Sequence, residues 1–214
     1  MRFSDLARDP VSFETHFWGA VAAVIGTVVL MIRALAVPDA DVLHAVGAGV
    51  FGLSLIALYT ASSVYHFISW DAQTWLRKLD HSMIYVLIAG TYTPVFLNYA
   101  DRRRALFLII YIWAFAVAGI VAKLIRIGIP RALTSAIYLF MGWSVLFDMP
   151  EFLSLPLGAI VFIALGGIMY SIGAVIYAIK KPNVSARFGF HEIFHLFVLA
   201  GSLCHFIAVF GWLA

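Results

Sequence analysis

Apolar residues run along this chain in blocks of about twenty, divided by short polar breaks, and one such block crosses a bilayer as a helix. Seven blocks are visible, at about residues 16–35, 42–68, 79–99, 105–125, 132–147, 155–179 and 190–213. The breaks carry turn chemistry: Pro38-Asp39, Ser69-Trp70-Asp71, Gly128-Ile129-Pro130, Asp148-Met149-Pro150 and Lys180-Lys181-Pro182. Connections this short make sequence neighbours antiparallel. The pattern predicts one all-α integral membrane domain over residues 1–214, a seven-transmembrane-helix bundle, with no soluble domain, linker or low-complexity segment.

Composition agrees with the pattern. The chain is 64% hydrophobic and 12% charged, where a soluble domain carries about 25% charged residues. The first residues lack the basic start and small-residue cleavage site of a signal peptide, so the first block reads as a retained span. A net charge of +3 falls in the loops, with no basic cluster interleaved with aromatics, and no nucleic-acid partner is expected. Lysine and arginine divide unevenly between alternate loops. Ten (residues 2, 8, 77, 78, 123, 126, 131, 180, 181 and 187) fall on one side and four (33, 102, 103 and 104) on the other. The positive-inside rule then puts the N-terminus in the cytoplasm and the C-terminus outside, in a multi-pass protein of the cell (inner) membrane. The single cysteine, Cys204, excludes an internal disulfide.

The candidate chemistry lies where ionisable groups enter apolar blocks, because such groups are costly in hydrocarbon. His191 and His195 open the last block and leave one face of a helix a turn apart. With the alternating topology they lie near the cytoplasmic end. Ser62 and His66 close the second block at that same end, and Asp80 and His81 begin the third there. Asp80 suits either a helix cap or the orientation of a ligand histidine. His66, His191 and His195 make a three-ligand set with an open position, which is the layout of catalytic zinc. His16 and His44 read as interfacial histidines. His205 continues the stripe 191, 195, 198, 202, 205, but about 15 Å further along the helix, too far to share a metal.

His191-Glu192-Ile193-Phe194-His195 also matches H-E-x-x-H, in which the glutamate is the base of a metalloprotease. A third ligand is then needed, yet after His195 the chain offers only Cys204 and His205, both too far along the same helix. Glu192 is therefore expected to point away from the site.

A broader likeness covers nearly the whole chain. Ser62-Ser63-Val64-Tyr65-His66, Leu79-Asp80-His81, Ala89-Gly90-Thr91-Tyr92-Thr93-Pro94, Met141-Gly142-Trp143, Gly166-Gly167-Ile168-Met169-Tyr170 and Phe190-His191-Glu192-Ile193-Phe194-His195 with Gly201 and His205 resemble the hemolysin III family. That family belongs with the progestin and adipoQ receptors, which include the adiponectin receptors, and more distantly with the alkaline ceramidases. Near the N-terminus only Thr15-His16 and a few glycines fit.

The resemblance implies seven helices, a cytoplasmic N-terminus, and Zn2+ held by His66, His191 and His195. It implies Asp80 beside the zinc-bound water, with Ser62 close by. The ceramidase branch hydrolyses a lipid amide with the corresponding residues; bacterial members were named for haemolysis and also tied to membrane homeostasis. The leading expectation is a zinc-dependent hydrolase of a lipid amide or ester. In it Asp80 moves the proton, Ser62 binds the developing oxyanion, and a membrane lipid or other fatty-acid-containing ligand occupies the bundle interior. The alternatives are a receptor-like or homeostasis protein with structural zinc, a haemolytic permeabilising protein, and an intramembrane H-E-x-x-H protease.

Overall fold

A computed structural model describes residues 6–36, 42–68, 73–99, 101–125, 130–185 and 188–214, and these are helical almost throughout. Their long helices are α1 (Pro10–Ala36), α2 (Val42–Phe67), α3 (Gln73–Leu97), α4 (Arg102–Ile125), α5 (Arg131–Gly142), α7 (Leu157–Ile179) and α8 (Phe190–Ala208). A 3₁₀ segment, Ser144–Asp148, and a short α6, Met149–Phe152, complete the fifth crossing, and a π-helical turn, Val209–Leu213, extends α8. Six of these stretches are long and apolar enough to cross a membrane, among them Arg131–Phe152 and Phe190–Leu213. The remaining helix, α3, has 25 residues. It is less apolar because Arg77, Lys78, Asp80 and His81 occupy its first half. The protein is an all-α, multi-pass membrane bundle. The breaks Pro38-Asp39, Ser69-Trp70-Asp71 and Gly128-Ile129, with Arg2, Arg126 and Arg187, lie outside the described residues.

Helices α1 and α3 begin six residues before the apolar blocks of 16–35 and 79–99. Helix α1 opens at Pro10 directly after Asp9, whose carbonyl accepts the first helical bond from Phe13 N (2.9 Å); proline at the first helical position suits that start. Helix α3 opens at Gln73, so Asp80 lies two turns inside it and caps nothing.

In the bundle α1 packs on α2 and α8, α2 on α3, α3 on α4 and α5, and α7 on α5 and α8. Small residues bring these helices close. A Cβ on Gly90 would fall 2.3 Å from Ser54 Oγ, and one on Gly52 would fall 2.4 Å from Thr27 Oγ1. The outer faces are apolar, with Ile32, Leu106, Phe107 and Leu157 all more than half exposed, as lipid contact requires. At the far end Asn98 Nδ2 donates to Leu213 O (3.1 Å), and Arg104 pairs with the buried Asp148 carboxylate. The near end gathers the start of α1, the end of α2, the first half of α3 and the start of α8.

Candidate metal centre

Helix α8 turns one stripe into the bundle, polar but for Val198: His195, Val198, Ser202 and His205 are all buried. At its start His191 and His195 leave the same face, and His66 meets them from the last turn of α2. One ligand atom from each of these three histidines lies within 4.8 Å of the others. His191 Nε2 and His66 Nε2 are 3.1 Å apart. A tetrahedral zinc with Zn–N near 2.05 Å holds its nitrogens roughly 3.3 Å apart, so the donor set fits such an ion.

Two ring tautomers follow from the neighbours. Asp9 Oδ2 lies 3.0 Å from His66 Nδ1, and a carboxylate only accepts. His66 therefore carries its proton on Nδ1 and keeps the Nε2 lone pair for the centre. The Thr15 hydroxyl donates to Ser12 O (3.0 Å) and so accepts from His195 Nδ1 (3.3 Å). His195 likewise keeps Nε2 free. Partners of this kind orient metal-ligating histidines and raise their basicity. Asp9 itself stands outside the membrane span. Its bond to His66 is the leading cause that brings its carboxyl down to about 2; burial opposes this, and Arg8 at 2.5 Å adds to it. It is thus a carboxylate at any physiological pH. The segment before α1 is pinned over the site by Asp9 N donating to His66 O (3.1 Å).

Ser62, Asp80, His81, His191 and His195 all line one small cavity, of about 40 Å³. Ser62 Oγ is buried beside the Asp80 carboxylate without the geometry of a hydrogen bond, and it has no such bond among the described residues. Its neighbour Ser63 is the serine that bonds back to its own helix, at Tyr59 O (2.7 Å). His81 presents a buried Nδ1 with no hydrogen bond among the described residues.

Glu192 turns away, as the sequence leads one to expect. Its Oε2 accepts from Gly189 N (2.8 Å) and its Oε1 from the Ser12 hydroxyl (2.8 Å). This carboxylate caps α8 and ties it to α1. His16 is not an interfacial histidine. It is buried, stacks on His195 with centroids 3.6 Å apart and planes 6° apart, and lines the small cavity with neither ring nitrogen bonded among the described residues.

Asp9, Ser12 and Thr15 were missed because the first apolar block, read from hydropathy, starts only at residue 16. The signal that finds them is Asp9-Pro10, an N-cap followed by proline, after which Ser12, Thr15, His16 and Gly19 fall at helical spacing.

A second cavity, of about 340 Å³, adjoins the first and shares Leu58, Ile84, Tyr138, Ala174, Phe194 and Val198 with it. Its wall is almost wholly apolar and runs from these residues down to Met149, Phe152 and His205.

Residues 5–206 match the family described as Haemolysin-III related. The chain belongs to the haemolysin III family. Among its relatives is the Hemolysin-3 homolog of Bacillus subtilis (strain 168), 35% identical over 91% of this chain and 89% of that protein. Hemolysin-3 of Bacillus cereus is 32% identical over 91% and 87%. The human Monocyte to macrophage differentiation factor is 27% identical over 93% and 82%. Family membership thus extends from one end of the bundle to the other, and takes in His66, Asp80, His191 and His195.

Proposed function

We propose that this haemolysin III protein is a metal-dependent hydrolase of an amide or ester bond in a long-chain membrane lipid. The observation that carries this is the junction of two cavities. One holds the three histidines' neighbours Asp80 and Ser62; the other is apolar and sized for hydrocarbon. His66, His191 and His195 would hold the metal, with zinc the first choice for an all-imidazole set. A divalent ion there supplies Lewis-acid polarisation of a carbonyl and lowers the pKa of water.

The protein's own groups do the rest. Asp9 and Thr15 fix two of the histidine rings by their Nδ1 bonds. The apolar wall binds the acyl chain and excludes water, so that the carbonyl is held at the narrow end. The Ser62 hydroxyl, beside Asp80, donates to the carbonyl oxygen as negative charge builds on it. Asp80 accepts a proton from the attacking water at its carboxylate and delivers it to the departing nitrogen or oxygen. The cytoplasmic placement of this end rests on the ten-to-four bias in lysine and arginine. Metal analysis of the purified protein should give one ion per chain in the wild type and none in His191→Ala. A wild type that takes up no divalent metal would end this proposal.

The names of the Bacillus relatives favour a second reading, lysis of membranes. The apolar wall of the larger cavity suits lipid better than an aqueous path. Lysis of erythrocytes that survives both Asp80→Asn and metal removal would favour permeabilisation over hydrolysis.

A further inference from the structure

The larger cavity has one polar feature that the hydrolytic chemistry does not use. His205 is buried on α8 with its ring against the cavity. Its Nδ1 lies 2.8 Å from Gly201 O, and a carbonyl only accepts, so the proton is on Nδ1. The neutral ring therefore keeps a lone pair at Nε2, and the described residues bring no donor to it. The ring is firmly seated. It stacks on Tyr170 at 5.2 Å and 13°, and Gly166 makes room for it, since a Cβ there would come within 2.3 Å of Cε1 and Nδ1. The other hydroxyls of the wall already bond within the protein. Thr91, Tyr92, Tyr138 and Ser171 each donate to a backbone carbonyl, and Tyr170 pairs with Ser202.

From this we infer that His205 is a specificity residue, whose Nε2 accepts a hydrogen bond from a hydroxyl carried part-way along the lipid's hydrocarbon chain. The inference rests on the hydrolase reading, which sets the lipid carbonyl at the histidine cluster and the chain in the cavity. His205 follows His195 by ten residues, about 15 Å of helix rise, which an extended chain spans with roughly twelve carbons. The substrate class is thereby narrowed to acyl lipids with a mid-chain hydroxyl. A purely apolar wall would make the opposite choice, because a hydroxyl entering it leaves its hydrogen bonds to water behind. An acceptor on the cavity wall with no partner among the described residues reverses that sign.

The test is equilibrium binding of stearic, 12-hydroxystearic and 12-oxostearic acids to the purified, full-length protein in lipid nanodiscs. The hydroxy acid should bind about fivefold more tightly than stearic acid, and the oxo acid, which can only accept, should show no such gain. In His205→Phe the hydroxy acid should lose its advantage and bind no more tightly than stearic acid measured on the same variant. Should that variant fail to fold, the three ligands on the wild type still decide. Equal or weaker binding of the hydroxy acid, or equal gain from the oxo acid, overturns the role of His205 and leaves the lipid cavity standing. Failure of all three acids to bind overturns the lipid-filled cavity, and this inference with it.

Discussion

Replacing Glu192 separates two accounts of the sequence His191-Glu192-Ile193-Phe194-His195. In the structure its carboxylate accepts from Gly189 N and from the Ser12 hydroxyl, each at 2.8 Å. Glu192→Ala removes a helix cap and an inter-helix bond, and leaves both donors without an acceptor. A lost cap costs about 1 kcal/mol, and a lost bond to a half-buried carboxylate about another 1–2 kcal/mol. The expected loss is therefore about 2–3 kcal/mol; Glu192→Gln keeps one acceptor oxygen and should lose about half as much. Membrane proteins often unfold irreversibly, so the readout is the half-life of the folded protein in detergent on heating. Metal content and lipid turnover per folded molecule should stay within about twofold of the wild type, since neither bond reaches the metal centre directly. The reasoning is refuted if Glu192→Gln survives heating as the wild type does, binds metal fully, and has lost turnover by 10²-fold or more, the size expected for a missing general base.

Two more outcomes follow from the structure. Asp9→Asn leaves His66 Nδ1 beside an amide in place of a carboxylate, and metal affinity should drop about 10- to 100-fold, read by competition with a chelator. Gly166→Ala drives a methyl group against the His205 ring and should cost about 1–3 kcal/mol of stability by overpacking, read as a shorter half-life on heating.

The sequence carried a good deal of this. Helices show in the length of the apolar blocks, and the depth of Ser62, His66, Asp80, His191 and His195 follows once the blocks alternate in direction. That is enough to bring His66 to the other two histidines, because a short-looped bundle leaves few choices. What escaped notice was polar chemistry at the margin of a block. Asp9, Ser12 and Thr15 precede the hydrophobic run of α1, so counting apolar residues put the helix start too late and left His16 at an interface. The start of α3 was misplaced for the same reason: Arg77, Lys78, Asp80 and His81 interrupt the apolar pattern although the backbone is already helical. Hydropathy reports where lipid begins, whereas the helix is set by backbone bonding and packing on neighbouring helices. The orientation of Glu192 was legible by elimination, but its partner Ser12, 180 residues earlier, was not.

The central claim is that Asp80 moves a proton during cleavage of a lipid at the three-histidine centre. Mass spectrometry of fatty acid released from amide- and ester-linked lipids tests it most directly, with metal-loaded wild type and Asp80→Asn assayed side by side. Wild type should release free fatty acid, and Asp80→Asn, at equal metal content, should release it at least 10²-fold more slowly. Equal release by both proteins, or a metal-loaded wild type that cleaves no amide or ester lipid, would contradict the account.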